Sequence, residues 1–358
     1  MAITINPNPS MTKYIVERDV LRHDPVTIVD VGARWGFNSE WKIFEGALRV
    51  YCFEPDEAEC ERLNGLGDPN VTYIPAALGK RNEEVILYET KLGASTGLYR
   101  TNMDYFSRLL NRDNAEVVKE HRIQVTTLDA AMALHGDLTI DFLKLDVEGA
   151  ELDVLIGAER LLRGNDLLGI LSEFRFQEEI NGCPIFWELD AYVRKSGFRL
   201  FDMQFTHQSR RALPYPGLAD YRLPNGEKFF AYTTHGQIMD GDALYFRDLL
   251  IAANSKMRAE ATPSRLLKAA AFFEIYCLND CAAELILANR GTLRGQVNCD
   301  DLMDLLTPTL QGRRVNYETY MKAYFDSGSA VVAASAPLNL SGAWRTKGKG
   351  ILRRLLGR

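Results

Sequence analysis

The sequence predicts an α/β fold in which a doubly wound, mostly parallel sheet of the Rossmann-like type is followed by a C-terminal helical region. Two observations lead to this prediction. Between residues 27 and 235, short apolar runs alternate with segments of helical hydrophobic periodicity, the pattern of a sheet covered by helices on both faces. Beyond about residue 240 the strand-like runs stop, and only helical patterns continue.

The apolar runs predict the strands of the sheet in order. They lie at residues 27–31, 49–53, 71–74, 140–146 and 167–174, and their near-continuous apolar character is typical of strands buried on both faces. Helical patterns lie at residues 55–66, 150–163 and 185–198. The first of these begins with a proline and acids, and the last ends with a lysine and a glycine, as helix starts and stops should.

Further runs predict the domain organisation. Residues 83–90 and 122–128 predict inserted strands, and residues 198–205 and 229–235 predict a hairpin that closes the sheet. Segments 242–254, 264–289 and 299–310 predict successive amphipathic helices. We therefore expect an N-terminal extension (1–26), a sheet domain (27–238), a helical appendage (239–326), and a flexible linker with a basic tail (327–358).

Composition excludes several classes of protein. The 358 residues include 42 Lys and Arg against 48 Asp and Glu, and this net charge of −6 lacks the basic footprint of a nucleic-acid binder. There is no apolar stretch long enough to span a membrane, and the first residues do not resemble a secretory signal. The six cysteines form no paired metal or redox motif, so we expect buried free thiols and a cytoplasmic protein.

The turn after the first strand, VDVGARWG (29–36), is the most informative segment. Gly32 and Gly36 flank a tight turn that leads from the strand into a predicted helix with free backbone amides at its start. Glu54 follows Gly32 by 22 residues, at the end of the second strand. An acid at this distance can accept hydrogen bonds from both hydroxyls of a ribose, so the pattern predicts a nucleotide site.

The charges at this turn limit which kind of nucleotide the site can bind. The motif is DxGxxxG rather than GxGxxG, and Asp30 at the strand end would repel a pyrophosphate. The same carboxylate suits a ligand with an ammonium and a sulfonium group, as in S-adenosylmethionine. The phosphate-binding pattern GxxxxGK[ST] is absent from the sequence, which argues against a nucleoside triphosphate hydrolase.

Five segments resemble the FkbM family of S-adenosylmethionine-dependent methyltransferases. They are VDVGARWG, YCFEPDEAECERL, YIPAALG, TTLD and IDFLKLDVEGAELDVLIGAERLL, and the resemblance covers about residues 27–205. It implies methylation of a hydroxyl, often that of a sugar, and a methyltransferase sheet. It also implies that Asp30, Gly32 and Glu54 bind the cofactor and that Ala76 and Ala77 lie along its adenine. The sequence departs from the family pattern at Arg34 and Trp35.

Acidic and basic side chains cluster after the fourth predicted strand. Lys144, Asp146 and Glu148 lie at its carboxyl end, where open α/β sheets bind ligands. Any of the three is a candidate for orienting the acceptor hydroxyl or accepting its proton. The alternatives are that Asp146 binds the cofactor ammonium, that Glu148 with Gly149 caps the next helix, and that Lys144 forms an ion pair.

Two further candidates follow later strands. Glu173, at the end of the fifth strand, is either paired with Arg175 or directed at the substrate. His207, after the sixth strand, is a candidate general base or a solvated surface residue. No set of metal ligands is evident, so we expect none.

These features predict an S-adenosylmethionine-dependent O-methyltransferase whose acceptor is a hydroxyl of a sugar, glycan or related metabolite. The alternative is a non-catalytic scaffold of the same fold that recruits a partner for glycan assembly. The tail at residues 345–358 combines leucines with basic residues and no acid, so it is either a solvated end or a peripheral contact with anionic lipid.

Overall fold

The computed structural model of the chain describes residues 3–93, 95–136, 138–218, 221–222, 228–229 and 232–327. The basic tail, with nearly all of the predicted linker, lies outside the described residues. The chain divides into two compact units, Met1–Val297 and Asn298–Arg358. Within the described part of the chain, no helix is both long enough and apolar enough to cross a membrane.

The strands follow the predicted order closely at first. They are β1 (Val26–Val31), β2 (Leu48–Phe53), β3 (Val71–Ile74), β4 (Ala77–Leu78), β5 (Glu83–Thr90), β6 (Val117–Thr126), β7 (Phe142–Leu145), β8 (Gly169–Arg175), β9 (Arg199–Gln208), β10 (Tyr221–Arg222), β11 (Lys228–Phe229) and β12 (Gln237–Phe246). All five strands predicted for the parallel sheet, and both inserted strands, are present within a few residues of their predicted bounds.

Seven of these strands form the central sheet, in the order β3-β2-β1-β7-β8-β12-β9. The first five are parallel, and β12 runs antiparallel to both of its neighbours. The order reverses between β1 and β7, so the carboxyl ends of these two strands form the switch point at which open α/β sheets bind ligands. A second, three-stranded sheet has the order β4-β6-β5. The predicted doubly wound α/β fold is thereby confirmed.

The predicted end of the sheet is wrong. The strand that closes the sheet is not the run predicted at 229–235, of which residues 230 and 231 lie outside the described residues. It is β12, which begins at Gln237 and includes residues 242–246 that we expected to be helical. Apolar residues occupy both faces of β12, so apolar and polar residues do not alternate along its sequence. A buried strand of this kind cannot be told from a buried helix by periodicity alone. The predicted domain boundary at 238/239 therefore falls inside a strand of the central sheet.

The helices occupy the remaining segments. They are α1 (Ser10–Glu17), α2 (Glu57–Asn64), α3 (Met103–Phe106), α4 (Leu128–Ala133), α5 (Glu151–Ile156), α6 (Glu159–Arg163), α7 (Phe186–Lys195), α8 (Ser255–Ala259), α9 (Pro263–Ile275), α10 (Asn279–Ala288), α11 (Arg290–Leu293), α12 (Cys299–Leu306) and α13 (Tyr317–Ser327). The helix expected directly after Gly36 is only a 3-10 turn, Ser39–Phe44. The single helix predicted at 150–163 is broken into α5 and α6 at Gly157, where a side chain would meet the Gly79 carbonyl oxygen at 2.2 Å.

One helix of the expected appendage packs directly on the sheet. The Phe272 ring of α9 stacks on Phe142 of β7 with centroids 4.7 Å apart, and Phe273 lies 4.7 Å from Phe246 of β12. These aromatic contacts bury one face of the sheet. The part of the chain expected as the N-terminal extension joins the same layer, since the Glu274 carboxylate accepts hydrogen bonds from the amides of Met11 and Thr12 in α1.

Candidate functional site

A cavity of about 420 Å³ opens at the carboxyl ends of β1, β2 and β7, and we call it the switch-point cavity. Its lining includes most of the residues predicted to bind a cofactor, namely Gly32, Glu54, Ala76, Ala77 and Asp146. The three-stranded sheet supplies another part of the lining, including Glu89 and His121, whose Oε2 and Nε2 atoms are 2.6 Å apart. The structure thus brings together residues that are separated by up to 114 positions in the sequence.

Gly32 allows the chain to pass tightly through this site. Its φ of +89° lies in the left-handed region, and a Cβ atom would lie 1.8 Å from the carbonyl oxygen of Asp146. Any other residue would therefore push β1 and the end of β7 apart. Gly97 has a similar role, because a Cβ there would lie 2.9 Å from the Glu148 carbonyl oxygen. Two glycines thus hold the walls of the cavity close to the loop that follows β7.

Glu54 is a buried carboxylate at the end of β2, as the sequence predicts. Its Oε1 atom accepts a hydrogen bond from the amide of Asp56 at 3.0 Å and lies 3.9 Å from the Arg34 guanidinium. Burial raises the pKa of Glu54, while the Asp56 amide and Arg34 oppose that rise. These contacts fix the carboxylate at the cavity wall, where it can accept hydrogen bonds from a ligand diol.

Asp30 occupies a different place from the one expected. Its side chain is fully buried, and it is absent from the described lining of the switch-point cavity. Asp30 and Lys144 are register partners on β1 and β7, and Lys144 Nζ lies 3.1 Å from Asp30 and 3.3 Å from Asp146. Register neighbours on adjacent strands face the same side of the sheet, so Lys144 lies beside Asp30 as its ion-pair partner.

The ion pair with Asp30 and Asp146 also determines the protonation state of Lys144. Burial by itself would lower the pKa of Lys144, but the carboxylates of Asp30 and Asp146 outweigh burial and raise it. Lys144 is therefore protonated at neutral pH, and it cannot accept a proton from a substrate. Of the two roles weighed for this residue, the geometry favours the ion pair. Gly36, with a φ of +108°, is likewise a turn residue that does not belong to the cavity lining.

The loop after β7 places Glu148 in an unusual conformation. Glu148 has a φ of +56° and Gly149 a φ of +103°. The Glu151 Oε1 atom holds this loop by accepting hydrogen bonds from the amides of Val147 at 2.9 Å and Gly149 at 3.2 Å. A left-handed glutamate costs conformational energy, which is typical of residues that the surrounding structure holds for function.

Glu148 lines a second cavity as well as the first. The second cavity has about 370 Å³, and we call it the acidic cavity because four carboxylates line it: Glu148, Glu173, Glu179 and Asp240. Its remaining polar lining includes Arg175 and Gln208, and the indole of Trp35 lies at its side. Since both cavities include Glu148, this carboxylate marks the place where they meet.

Arg175 is the cation of the acidic cavity. Its Nη2 atom lies 2.6 Å from Glu148 and 3.1 Å from Glu173, and its Nη1 atom lies 3.8 Å from Glu179. Burial raises the pKa of Glu148 to about 8 and raises that of Glu173, although Arg175 opposes both shifts. Glu173 therefore combines the two alternatives left open by the sequence: it pairs with Arg175 and also lines a cavity.

Three carboxylates lie close enough together to hold a metal ion. One oxygen each from Asp146, Glu148 and Glu173 fit within 4.8 Å of one another. Asp146 and Glu148 follow β7, whereas Glu173 lies within β8, so the pairing of these two strands brings the three carboxylates together. Lys144 pairs with Asp146, and Arg175 pairs with Glu148 and Glu173, so cations of the chain itself already lie against all three carboxylates.

One predicted site residue, His207, does not line either cavity as described, and two acidic residues that do were not predicted. His207 lies within β9 rather than after it, and it is absent from the described lining of both cavities, while its neighbour Gln208 lines the acidic cavity. Alternation of side chains along the strand explains this, because adjacent residues face opposite sides. Sequence analysis missed Glu179 and Asp240, which lie in segments without a motif. It noted Trp35 only as a departure from a family pattern.

Comparisons with known proteins identify the family of the chain. The family model described as the methyltransferase FkbM domain matches residues 22–200. No curated protein sequence matches the chain. Solved structures that resemble it include an S-adenosylmethionine-dependent methyltransferase from Aquifex aeolicus, with 14% identity and a TM-score of 0.27 over 68% of this chain and 100% of that one.

Two other similar structures are also methyltransferases. An rRNA methylase from Streptococcus thermophilus has 13% identity and a TM-score of 0.27 over 64% of this chain and 93% of that one. The 1,6-didemethyltoxoflavin-N1-methyltransferase of Burkholderia thailandensis has 12% identity and a TM-score of 0.28 over 67% and 78%. These TM-scores are too low to decide a function. The family match spans half of the chain, and the protein therefore belongs to the FkbM family of S-adenosylmethionine-dependent methyltransferases.

Proposed function

We propose that the protein transfers a methyl group from S-adenosylmethionine to a hydroxyl group of a sugar, glycan or related metabolite. The observation that carries this proposal is the position of Glu148, which lines both the switch-point cavity and the acidic cavity. A methyl donor in the first cavity and an alcohol in the second would meet at this carboxylate. Methyl transfer needs such a meeting place, because the oxygen must approach the methyl group in line with the carbon–sulfur bond.

The switch-point cavity suits S-adenosylmethionine in shape and charge. Its volume of about 420 Å³ is in the range of small-molecule sites. Glu54 would accept hydrogen bonds from the ribose hydroxyls, and the small side chains of Ala76 and Ala77 leave room for a flat base. Asp146, whose side chain is 47% exposed, is free to approach an ammonium group on its cavity side. The tight backbone at Gly32 lets a ligand come close to the end of β1.

Charge favours this ligand over a dinucleotide. Five carboxylates line the described part of the switch-point cavity together with a single guanidinium, that of Arg34; they belong to Glu54, Asp56, Glu89, Asp146 and Glu148. Such an excess of negative charge repels a pyrophosphate and attracts the ammonium and sulfonium groups of S-adenosylmethionine. When bound, this cofactor supplies an electrophilic methyl group, which passes to the acceptor oxygen and leaves S-adenosylhomocysteine.

Glu148 would orient the acceptor hydroxyl and accept its proton. Burial raises the pKa of Glu148 to about 8, which is near the pH at which a general base works efficiently. The Arg175 guanidinium, 2.6 Å from Glu148 Oε2, fixes the carboxylate and favours its ionised form. The proton then leaves through the acidic cavity to solvent. Glu173, on the same guanidinium, would help to hold the hydroxyl in place.

An aromatic side chain favours a sugar as the acceptor. Trp35 lines the acidic cavity, yet 64% of its surface is exposed. An indole that is not buried by the protein offers a flat apolar surface for the C–H face of a sugar ring, while nearby carboxylates accept hydrogen bonds from its hydroxyls. This combination supports a carbohydrate acceptor over a purely apolar one.

A transfer assay tests the proposal. The full chain is incubated with methyl-labelled S-adenosylmethionine and a mixture of sugars, amino sugars and glycan fragments, and methylated products are identified by mass spectrometry. We expect a methyl ether in one product, and Glu148→Gln to lower the rate by about 10²–10⁴-fold. The control Glu159→Gln removes an exposed carboxylate and should leave the rate unchanged. Binding of S-adenosylhomocysteine without any labelled product would contradict catalysis and favour the scaffold.

A further inference from the structure

The acidic cavity carries more negative charge than its one cation can neutralise. Four carboxylates line it, from Glu148, Glu173, Glu179 and Asp240, and the only cationic side chain in its described lining is Arg175. The guanidinium is already engaged by Glu148 at 2.6 Å and Glu173 at 3.1 Å. Burying an ionised group without a partner is costly, so the remaining carboxyl groups either stay protonated or are ionised beside positive charge that a ligand supplies.

Glu179 is the clearest case of an unmatched acceptor. Its side chain is 2% exposed, and neither carboxylate oxygen has a hydrogen-bond partner among the described residues. The nearest cation, Arg175, is 3.8 Å away. The backbone around Glu179 is fixed, because its carbonyl oxygen accepts a hydrogen bond from the Asn102 amide at 2.8 Å. Within the described part of the chain, Arg175 is therefore the one cationic side chain paired with this buried carboxylate, and no side chain donates a hydrogen bond to it.

Two more acceptors lie in the same lining. The Gln208 side chain is 6% exposed, and its Oε1 atom also has no hydrogen-bond partner among the described residues. Asp240 is 7% exposed and accepts a hydrogen bond from Thr206 Oγ1 through Oδ1. Native proteins rarely leave buried acceptors unpaired, so this arrangement indicates that a ligand supplies the donors. An amide oxygen without a partner supports this independently of the acidic cluster.

We propose that the acceptor bound in the acidic cavity carries a protonated amino group, as an amino sugar or another amino alcohol does, and that Glu179, Gln208 and Asp240 bind this ammonium. An ammonium offers three N–H donors and one positive charge, so it supplies both the hydrogen-bond donors and the positive charge that the cavity lining lacks. A neutral polyol would supply donors without charge. A phosphate or carboxylate would add to the repulsion. This inference rests on the proposed function in taking the acidic cavity as the acceptor site.

A divalent ion is the other source of positive charge. The carboxylates of Asp146, Glu148 and Glu173 lie within the required distance, but these are the groups that already form ion pairs with Lys144 and Arg175. Glu179 and Gln208, whose oxygens have no partner, do not belong to that group. The unmatched acceptors therefore favour an ammonium, and the experiment includes magnesium as a separate arm.

The test compares matched ligands that differ in charge. Glucosamine, N-acetylglucosamine and glucose are titrated into the full chain by calorimetry, each with and without saturating S-adenosylhomocysteine. We expect glucosamine to bind at least 10-fold more tightly than either neutral sugar. In Glu179→Gln, which keeps the shape and removes the charge, this preference should fall below about threefold. The control Glu178→Gln changes an exposed neighbour and should retain the preference.

The outcomes separate this inference from the proposed function. Equal or weaker binding of glucosamine, or no binding of any of the three sugars, overturns the ammonium site. Heat from magnesium chloride alone, abolished in Glu179→Gln, would overturn it in favour of a metal. A chain that does not bind S-adenosylhomocysteine but still prefers glucosamine would contradict the proposed function and leave the ammonium site supported. Circular dichroism of each variant confirms that it is folded.

Discussion

Replacing Lys144 with methionine tests whether this residue holds Asp30 in the folded protein. Methionine keeps most of the side-chain volume but removes the ammonium that lies 3.1 Å from Asp30 Oδ1. Because Asp30 is completely buried, its carboxyl group would then have to fold in the protonated form. At pH 7 an unfolded aspartate with a pKa of about 3.9 holds no proton, so folding must take one up at a cost of about 4 kcal/mol.

The assay is urea denaturation at several pH values. Burial already raises the pKa of Asp30 in wild type, and Lys144 opposes that rise. Since the folded variant binds one more proton than the unfolded chain, its stability should fall relative to wild type by up to about 1.4 kcal/mol for each pH unit between 5 and 7. The double variant with Asp30→Asn removes the buried charge and should restore most of the loss. The control Lys13→Met changes an exposed lysine of α1 and should have little effect. A loss under about 1 kcal/mol without added pH dependence would refute the reasoning.

Three further predictions follow from the cavities. Gly32→Ala should raise the Kd for S-adenosylhomocysteine at least 100-fold by calorimetry, because the added Cβ would overlap the carbonyl oxygen of Asp146. The control Gly46→Ala has a similar φ but open space around its Cβ, so this variant should bind with the wild-type Kd. An unchanged Kd for Gly32→Ala would contradict the tight turn. Trp35→Ala should raise KM for a sugar acceptor about 10-fold without changing kcat or thermal stability, and an unchanged KM would exclude ring stacking. Burial raises the pKa of Glu179 to about 7, so the folded protein holds the Glu179 proton more tightly than the unfolded chain does. The resulting contribution to the free energy of unfolding is present below about pH 4.5 and is lost as the pH rises to 7. Relative to Glu179→Gln, wild type should lose about 3 kcal/mol over that interval in denaturation experiments, and parallel profiles would contradict this.

Much of the lining of the switch-point cavity could be predicted because its residues follow the strands that carry them. Gly32 and Glu54 each come directly after an apolar run, and parallel strands bring their carboxyl ends to one edge of the sheet. The same reasoning misplaced Asp30, which precedes the end of β1 and pairs with Lys144 across the sheet. One residue of register along a strand decides which side of the sheet a side chain faces.

The acidic cavity was harder to predict for a physical reason. Glu179 follows β8 in an irregular segment, and Asp240 lies on β12, whose identity as a strand the sequence did not show. These residues meet only because β12 pairs antiparallel with β8, and this pairing depends on contacts between distant segments. Local periodicity carries no information on such pairing. Glu173 was identified because it lies at the end of a predicted strand.

Calorimetric titration of the full chain with S-adenosylhomocysteine tests the central claim most directly. The claim is that the switch-point cavity holds the cofactor through Glu54. We expect saturable binding to wild type, a loss of about 1–3 kcal/mol in binding free energy for Glu54→Ala, and no change for Glu57→Ala, which removes an exposed acid that is absent from the described lining of the cavity. Absence of binding to wild type, or equal affinity of the Glu54 and Glu57 variants, would contradict it.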